Sequence, residues 1–220
     1  MNNKTLLGLP GSTLVAMLVL TSPVAQAEGS SLGEVAKGLG SIFSEITSAP
    51  VPRLDPRFQF ARDGLRRLHS DEYISFSPAN PKAHIYVFAD VNCPYTRLLH
   101  RKVPEFNAKG IEVRYVASPS GERNEPAWTV YRNIWCSDNP KQAFDDVVKG
   151  RSIPAQICSK NELRTLDAQY DVRLFLNIAV TPTIFFQDGY WNVGWEPGSK
   201  EADELPGRAI LGAKMVSTYR

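Results

Sequence analysis

The sequence His84-Ile85-Tyr86-Val87-Phe88-Ala89-Asp90 leads through Val91-Asn92 into Cys93-Pro94-Tyr95-Thr96, and this stretch decides the fold. Residues 84–90 are a short, mainly apolar run, which predicts a buried strand. Residues 94–109 have the pattern of a helix, and Pro94 suits its first position because it lacks an N–H and its φ is already helical. The sequence therefore predicts that Cys93 lies at the junction between a strand and a helix.

A cysteine at this junction has a chemical consequence. It faces unpaired backbone N–H groups and the positive end of the helix dipole, and both favour the nucleophilic thiolate. A two-cysteine redox site would carry its second sulfur at position 96, where this chain has Thr96. We expect the Thr96 hydroxyl to donate a hydrogen bond to the Cys93 thiolate. The sequence thus predicts a site that works with one sulfur.

Basic residues follow on the same predicted helix, at Arg97, His100, Arg101 and Lys102. Either they favour the thiolate further, or they form an ordinary solvated face. Pro104 is expected to kink the helix.

The remaining pattern extends this strand–helix unit into an α/β domain over 57–220. The predicted elements are, in order, a basic helix at 57–70, an edge strand at 73–76, the strand and helix already described, a strand at 111–116, about three helices within 122–177, a hairpin of 182–186 and 191–195, and a helix at 200–215. The hairpin turns at Asp188-Gly189. A strand–helix–strand unit, a helical insertion, a hairpin and a last helix follow the order of a thioredoxin-like fold, with a mixed sheet and flanking helices.

The first 27 residues have the features of a cleavable secretory signal. Lys4 supplies the positive start, residues 14–20 form a short apolar core, and Ala25-Gln26-Ala27 is a small-x-small site, so we expect cleavage after Ala27 and export to the periplasm. The alternatives are an uncleaved anchor and a buried helix.

Residues 28–56 combine an amphipathic helix with a stiff linker. An apolar stripe runs through 31–46, and three prolines fall between 50 and 56. The helix either docks on a partner or on a second copy of the chain, or it packs on its own domain.

Three cysteines cannot all pair within one chain. In an oxidising compartment the simplest arrangement is a structural Cys136–Cys158 disulfide with Cys93 free. Cys93 paired with one of the others, and three reduced cysteines, remain alternatives.

Several segments resemble one protein family. Residues 87–100 resemble the active-site segment of the periplasmic disulfide isomerase and reductase family that includes DsbC and DsbG. Trp135-Cys136, residues 141–150 and Cys158 resemble that family's second cysteine pair and the helix between its members. Val180-Thr181-Pro182-Thr183 resembles its Thr–cis-Pro loop. Residues 194–197 resemble the segment after its final hairpin.

The resemblance implies thiol–disulfide exchange at Cys93 and Thr96, with Pro94, Tyr95, Thr181 and Pro182 contacting the substrate. It implies a cis bond before Pro182, although X–Pro bonds are mostly trans. The expected partners are cysteine-containing exported proteins, with an envelope reductase or a small thiol to release them. The chain departs from the family at Thr96. Residues 28–56 are also too few for the family's N-terminal dimerisation domain, so self-association is expected to use helix 31–46.

Other chemistry has little support. The net charge of +2 does not indicate a nucleic acid partner, and the three histidines lack metal-ligand spacing. No cofactor is expected. The sequence leaves three hypotheses: monothiol exchange, a non-catalytic binding or chaperone module, and, more weakly, a one-cysteine peroxidase. Trp191 and Trp195 either line a substrate surface or pack within the hairpin.

Overall fold

The structure is a computed structural model, and it describes residues 54–123 and 125–219. The predicted signal, the helix at 31–46 and most of the linker lie outside the described residues. The elements are a 3₁₀ turn at Pro56–Phe58, α1 (Gln59–Leu65), β1 (Ile74–Phe76), β2 (Ala83–Ala89), α2 (Pro94–Arg101), α3 (Val103–Ala108), β3 (Ile111–Ala117), α4 (Pro126–Trp135), α5 (Pro140–Val148), α6 (Lys160–Phe175), β4 (Thr183–Phe186), β5 (Trp191–Val193) and α7 (Lys200–Thr218).

Two predicted helices differ from the structure. In place of the helix predicted at 57–70, the structure has a 3₁₀ turn followed by α1, which ends at Leu65. After Leu65 the backbone forms turns with i to i−3 hydrogen bonds, such as Leu68 N–H to the Leu65 carbonyl (3.2 Å), and Leu68 is buried in the core. The helix at 94–109 is two helices that meet at Lys102, where Pro104 provides no N–H to continue the first one.

The five strands form one mixed sheet in the order β1-β3-β2-β4-β5. Strands β2 and β3 are parallel, whereas β1, β4 and β5 are each antiparallel to their neighbours. The sheet confirms the predicted thioredoxin-like architecture. Cys93 follows β2 and Thr181 precedes β4, so the antiparallel pairing of these strands brings both residues to the same end of the sheet.

Strand β2 is buried on both faces. Ile85, Val87 and Ala89 join the core under α2 to α5 and α7, whereas Tyr86 and Phe88 join a smaller core with α1 and the end of α6. This burial explains why the strand has an apolar run without alternation.

The β4–β5 turn needs glycine at position 189. Gly189 has φ +89°, and a Cβ there would lie 2.5 Å from the Phe58 carbonyl oxygen.

Candidate active site

Cys93 is the N-cap residue of α2, with φ −69° and ψ 123°. Its N–H donates to the Asp90 carbonyl (3.0 Å), and its carbonyl accepts from Arg97 N–H (3.2 Å). The side chain is partly exposed, and its thiol donates to the Thr181 carbonyl oxygen at 3.1 Å. The sulfur is thus reachable from solvent and lies against the loop that precedes β4.

The bond between Thr181 and Pro182 is cis. Pro182 is buried, whereas Thr181 and Tyr95 remain accessible on either side of the cysteine. Of the residues predicted to contact a substrate, Thr181 lies against the Cys93 sulfur, and Pro94 and Tyr95 are the exposed residues that follow it on α2.

Asp90 fixes the loop between β2 and α2, a role that the sequence analysis missed. Its carboxylate is buried and accepts from Asn92 N–H (2.8 Å) and from Ser120 N–H (3.1 Å). The loop that carries Cys93 is therefore tied to the loop after β3. The sequence did offer a signal for this role, because an acidic residue at the end of a buried strand needs hydrogen-bond donors for its carboxylate.

Tyr131 on α4 supports the same loop from below. Its hydroxyl donates to the Ala89 carbonyl (2.5 Å) and accepts from Val91 N–H (3.0 Å). Arg97 adds a third bond, from its Nε to the Val91 carbonyl (2.9 Å). The backbone before Cys93 is thus held by side chains from two helices.

Thr96 occupies the position of the second sulfur, but the predicted hydrogen bond to Cys93 is absent. The residue is fully buried, and its Oγ1 has no hydrogen-bond partner among the residues that the structure describes. The prediction is wrong because the first turn of α2 directs this side chain into the interior.

His100 was predicted either to favour the Cys93 thiolate by its positive charge or to lie on a solvated face of the helix, and it does neither. It is buried, with its ring nitrogens 3.1 Å from the Tyr115 hydroxyl and 3.0 Å from Asp145 Oδ1. Burial lowers the pKa of His100, although the hydrogen bond to Asp145 opposes this effect. Lys102 pairs with Glu105 at 2.7 Å.

The two hairpin tryptophans have different environments. Trp195 is buried in the main core, as expected for packing within the hairpin. Trp191 is 41% exposed, and both tryptophans contribute to a groove of about 500 Å³ that Tyr95 and Thr181 also line. The groove gives the site room for a bound chain segment.

The other two cysteines are bonded to each other. Cys136 and Cys158 form a disulfide with a Cα–Cα distance of 5.0 Å, and Cys93 is free. Within the described residues, no group of three or more His, Cys, Asp or Glu side chains is arranged to hold a metal ion. None of the helices in that part of the chain has the length and apolar character needed to cross a membrane.

Comparison with known proteins agrees with this geometry. Residues 71–207 match the thioredoxin-like domain family. The chain is 32% identical over 130 residues to the thiol:disulfide interchange protein DsbC of Salmonella typhimurium, covering 59% of this chain and 53% of that protein. It is 31% identical over 134 residues to DsbC of Escherichia coli K12, covering 61% and 55%. The chain thus spans about half the length of these relatives.

A solved structure shows the same fold. The disulfide interchange protein from Neisseria gonorrhoeae superposes with a TM-score of 0.53 at 19% identity, covering 65% of this chain and 99% of that one. The sheet and the matched domain show that the chain belongs to the thioredoxin-like domain family, and over that domain it is similar to DsbC.

Proposed function

We propose that this protein is a thiol–disulfide exchange protein of the cell envelope that uses Cys93 as its single active sulfur. The observation that carries the proposal is the partly exposed Cys93 thiol at the start of α2, 3.1 Å from the Thr181 carbonyl oxygen. The relatives are named thiol:disulfide interchange proteins, and the predicted signal supports a periplasmic location.

The exchange proceeds through a mixed disulfide. The Cys93 thiolate attacks one sulfur of a client disulfide, a Cys93–client bond forms, and the other client sulfur leaves as a thiolate. Since Thr96 has no sulfur, the protein cannot release the client by itself. Release needs a second client thiolate, which isomerises the client, or an outside thiol or reductase, which reduces it.

Pro94, Tyr95 and Thr181 form the substrate contacts in this proposal, whereas Pro182, which was also predicted to contact the substrate, is buried and acts through the position of the Thr181 backbone. Thr181 is the residue next to the sulfur, so its backbone is placed to pair with an extended client segment. The proposed clients are cysteine-containing exported proteins.

The test is to alkylate cells rapidly, isolate the protein from the envelope, and identify what is bound to Cys93 by mass spectrometry. We expect client peptides joined to Cys93, and none in Cys93→Ser. In vitro, Cys93→Ser should reduce the reactivation of scrambled ribonuclease to background. The matched control is the double variant Cys136→Ser/Cys158→Ser, which keeps the active sulfur. Full reactivation by Cys93→Ser would overturn the proposal.

A binding or chaperone role is the second candidate. An apolar hollow of about 290 Å³ lies beside the hairpin, lined by Phe60, Leu176, Ile178, Phe185 and Trp191 among others. This role predicts that Cys93→Ala still suppresses the aggregation of reduced lysozyme. Loss of all suppression in that variant would exclude it.

A further inference from the structure

The groove beside Cys93 has a charge pattern that the exchange chemistry does not require. We define the acidic groove by Tyr95, Thr181, Trp191, Glu196 and Glu201, which line it together with neighbouring residues of β5 and the loop after it. It is about 500 Å³ in volume and opens directly from the residues that flank the active sulfur. A client joined to Cys93 therefore has to pass through or beside it.

The charged side chains that line this groove are both carboxylates. Glu196 and Glu201 are exposed, and neither takes part in an ion pair or a side-chain hydrogen bond within the described part of the chain. Their negative charges are thus available to a ligand, whereas Glu105 on α3 is paired with Lys102.

Two basic side chains close to the groove have other carboxylate partners. Lys200 lines an adjacent cavity, to which Glu201 also contributes, and lies 3.9 Å from Glu204. Arg208 lines the same cavity and is paired with the buried Asp188. Arg97, on α2, donates from its Nε to the Val91 carbonyl.

Aromatic surface in the groove favours the same kind of ligand. Trp191 is 41% exposed and Tyr95 is 45% exposed. Aromatic faces attract ammonium and guanidinium groups, and tryptophan does so best. Exposed rings and unpaired carboxylates together provide the environment that a lysine or arginine side chain needs.

The backbone of β5 offers a way to hold the rest of the segment. Gly194 N–H donates to the Pro182 carbonyl (2.8 Å), and Phe186 N–H donates to the Tyr190 carbonyl (2.9 Å). Since alternate residues of an antiparallel pair are hydrogen-bonded to the partner strand, the N–H and carbonyl groups of Trp191 and Val193 point away from β4, toward the open edge of the sheet. An extended segment can pair with this edge.

We propose that the acidic groove selects client segments in which the exchanging cysteine is flanked by lysine or arginine. The proposal rests on the proposed exchange at Cys93 and names the substrate class of that site. The segment lies extended along the edge of β5, and its basic side chain lies between Glu196, Glu201 and the Trp191 ring.

The test uses the full chain and three short peptides in which one cysteine is flanked by two lysines, two glutamines or two glutamates. Each cysteine is capped as a mixed disulfide with thionitrobenzoate. The Cys93 thiolate attacks the peptide sulfur, a Cys93–peptide disulfide forms, and thionitrobenzoate leaves as a coloured thiolate, which gives the rate. Rates with free N-acetylcysteine correct for the intrinsic reactivity of each peptide, and mass spectrometry of the adduct confirms the sulfur attacked.

At low salt we expect the lysine peptide to react on the order of fivefold faster than the glutamine peptide, and the glutamate peptide to react more slowly than either. The double variant Glu196→Gln/Glu201→Gln should remove most of the difference in rate between the lysine and glutamine peptides. Rising salt should reduce the preference in the wild type. The control Asp63→Asn/Glu105→Gln removes two carboxylates outside the groove and should keep the preference.

The outcomes separate the two proposals. If Cys93 reacts with none of the peptides, exchange at this site fails, and the groove proposal fails with it. If all three react equally after correction, or if the preference survives in Glu196→Gln/Glu201→Gln, only the groove proposal is overturned. Circular dichroism of each variant establishes that it is folded.

Discussion

The Cys93 thiol donates a hydrogen bond to the backbone carbonyl oxygen of Thr181 at 3.1 Å, although the two residues are 88 positions apart in the chain. Their proximity depends on the sheet, since β2 delivers one residue and β4 begins after the other. A client that reacts with the sulfur is therefore close to the backbone that precedes β4. Because the site depends on this contact, we expect it to respond to changes in the residues that position β2, β4 and the loops beside them.

Restoring the second sulfur should change the chemistry. Thr96→Cys places a thiol one turn after Cys93, in a side-chain position that already accommodates a buried residue of similar size. We expect an internal disulfide between Cys93 and the introduced thiol, and rapid release of clients, because the new thiolate can attack the mixed disulfide. Intact mass and the amount of trapped client measure this. Thr96→Ser is the control, and undiminished trapping in Thr96→Cys would contradict the prediction.

Removing the Tyr131 hydroxyl should destabilise the protein. Tyr131→Phe leaves the Val91 N–H without its buried partner, whereas the Ala89 carbonyl still accepts from Ser118 N–H (2.9 Å), so the free energy of unfolding should fall by about 1–3 kcal/mol. Urea unfolding measures the change. Tyr73→Phe is the control, because the Tyr73 hydroxyl makes no hydrogen bond within the described residues. Equal stability of the two variants would show that the hydroxyl does not hold the loop.

His84 should make the stability depend on pH. Burial, helped by Arg114, lowers the pKa of His84 from 6.5 to about 4, so the folded state keeps this ring neutral while the unfolded state takes up a proton. Stability is therefore complete above pH 6.5 and falls as the pH drops toward about 4, by at most about 3 kcal/mol.

Comparing urea unfolding near pH 7 and near pH 4.5 tests this, since His84→Gln should lose less stability on acidification than the wild type. His69→Gln, at an exposed position, should behave as the wild type does. A wild-type loss that persists in His84→Gln would assign the dependence to other groups.

The Asp188–Arg208 ion pair should matter for stability and not for exchange. The Asp188 side chain is 2% exposed, so Arg208→Met leaves its carboxylate buried without a cation and should cost about 3 kcal/mol. Lys102→Met breaks an exposed pair and should change stability by less than about 1 kcal/mol. Both variants should keep the alkylation rate of Cys93, and a large fall in that rate would link the β4–β5 turn to the site.

Much of the fold could be predicted from local patterns. The buried run at 84–90, the turn at Asp188-Gly189 and the order of the elements lead to the observed mixed sheet. The break near Lys102 also has a local cause, since Pro104 ends the hydrogen bonding of α2.

The site was harder to predict, because its details depend on residues from distant elements. His100 has the spacing of an exposed basic residue, but Asp145 on α5 and Tyr115 on β3 receive it in the interior. The burial of the Thr96 side chain likewise could not be predicted locally, because it depends on how α2 packs against the rest of the domain. Asp90 contacts the loop after β3, and nothing in its own neighbourhood indicates that partner.

The placement of the three sulfur atoms sets a selectivity problem for any reductant that regenerates this protein. Cys136 is 8% exposed within its disulfide, whereas its partner Cys158 and the free Cys93 are both partly exposed. A reductant that regenerates Cys93 therefore also has one sulfur of the structural disulfide within reach. Sparing that bond requires the reductant to recognise the surface around Cys93.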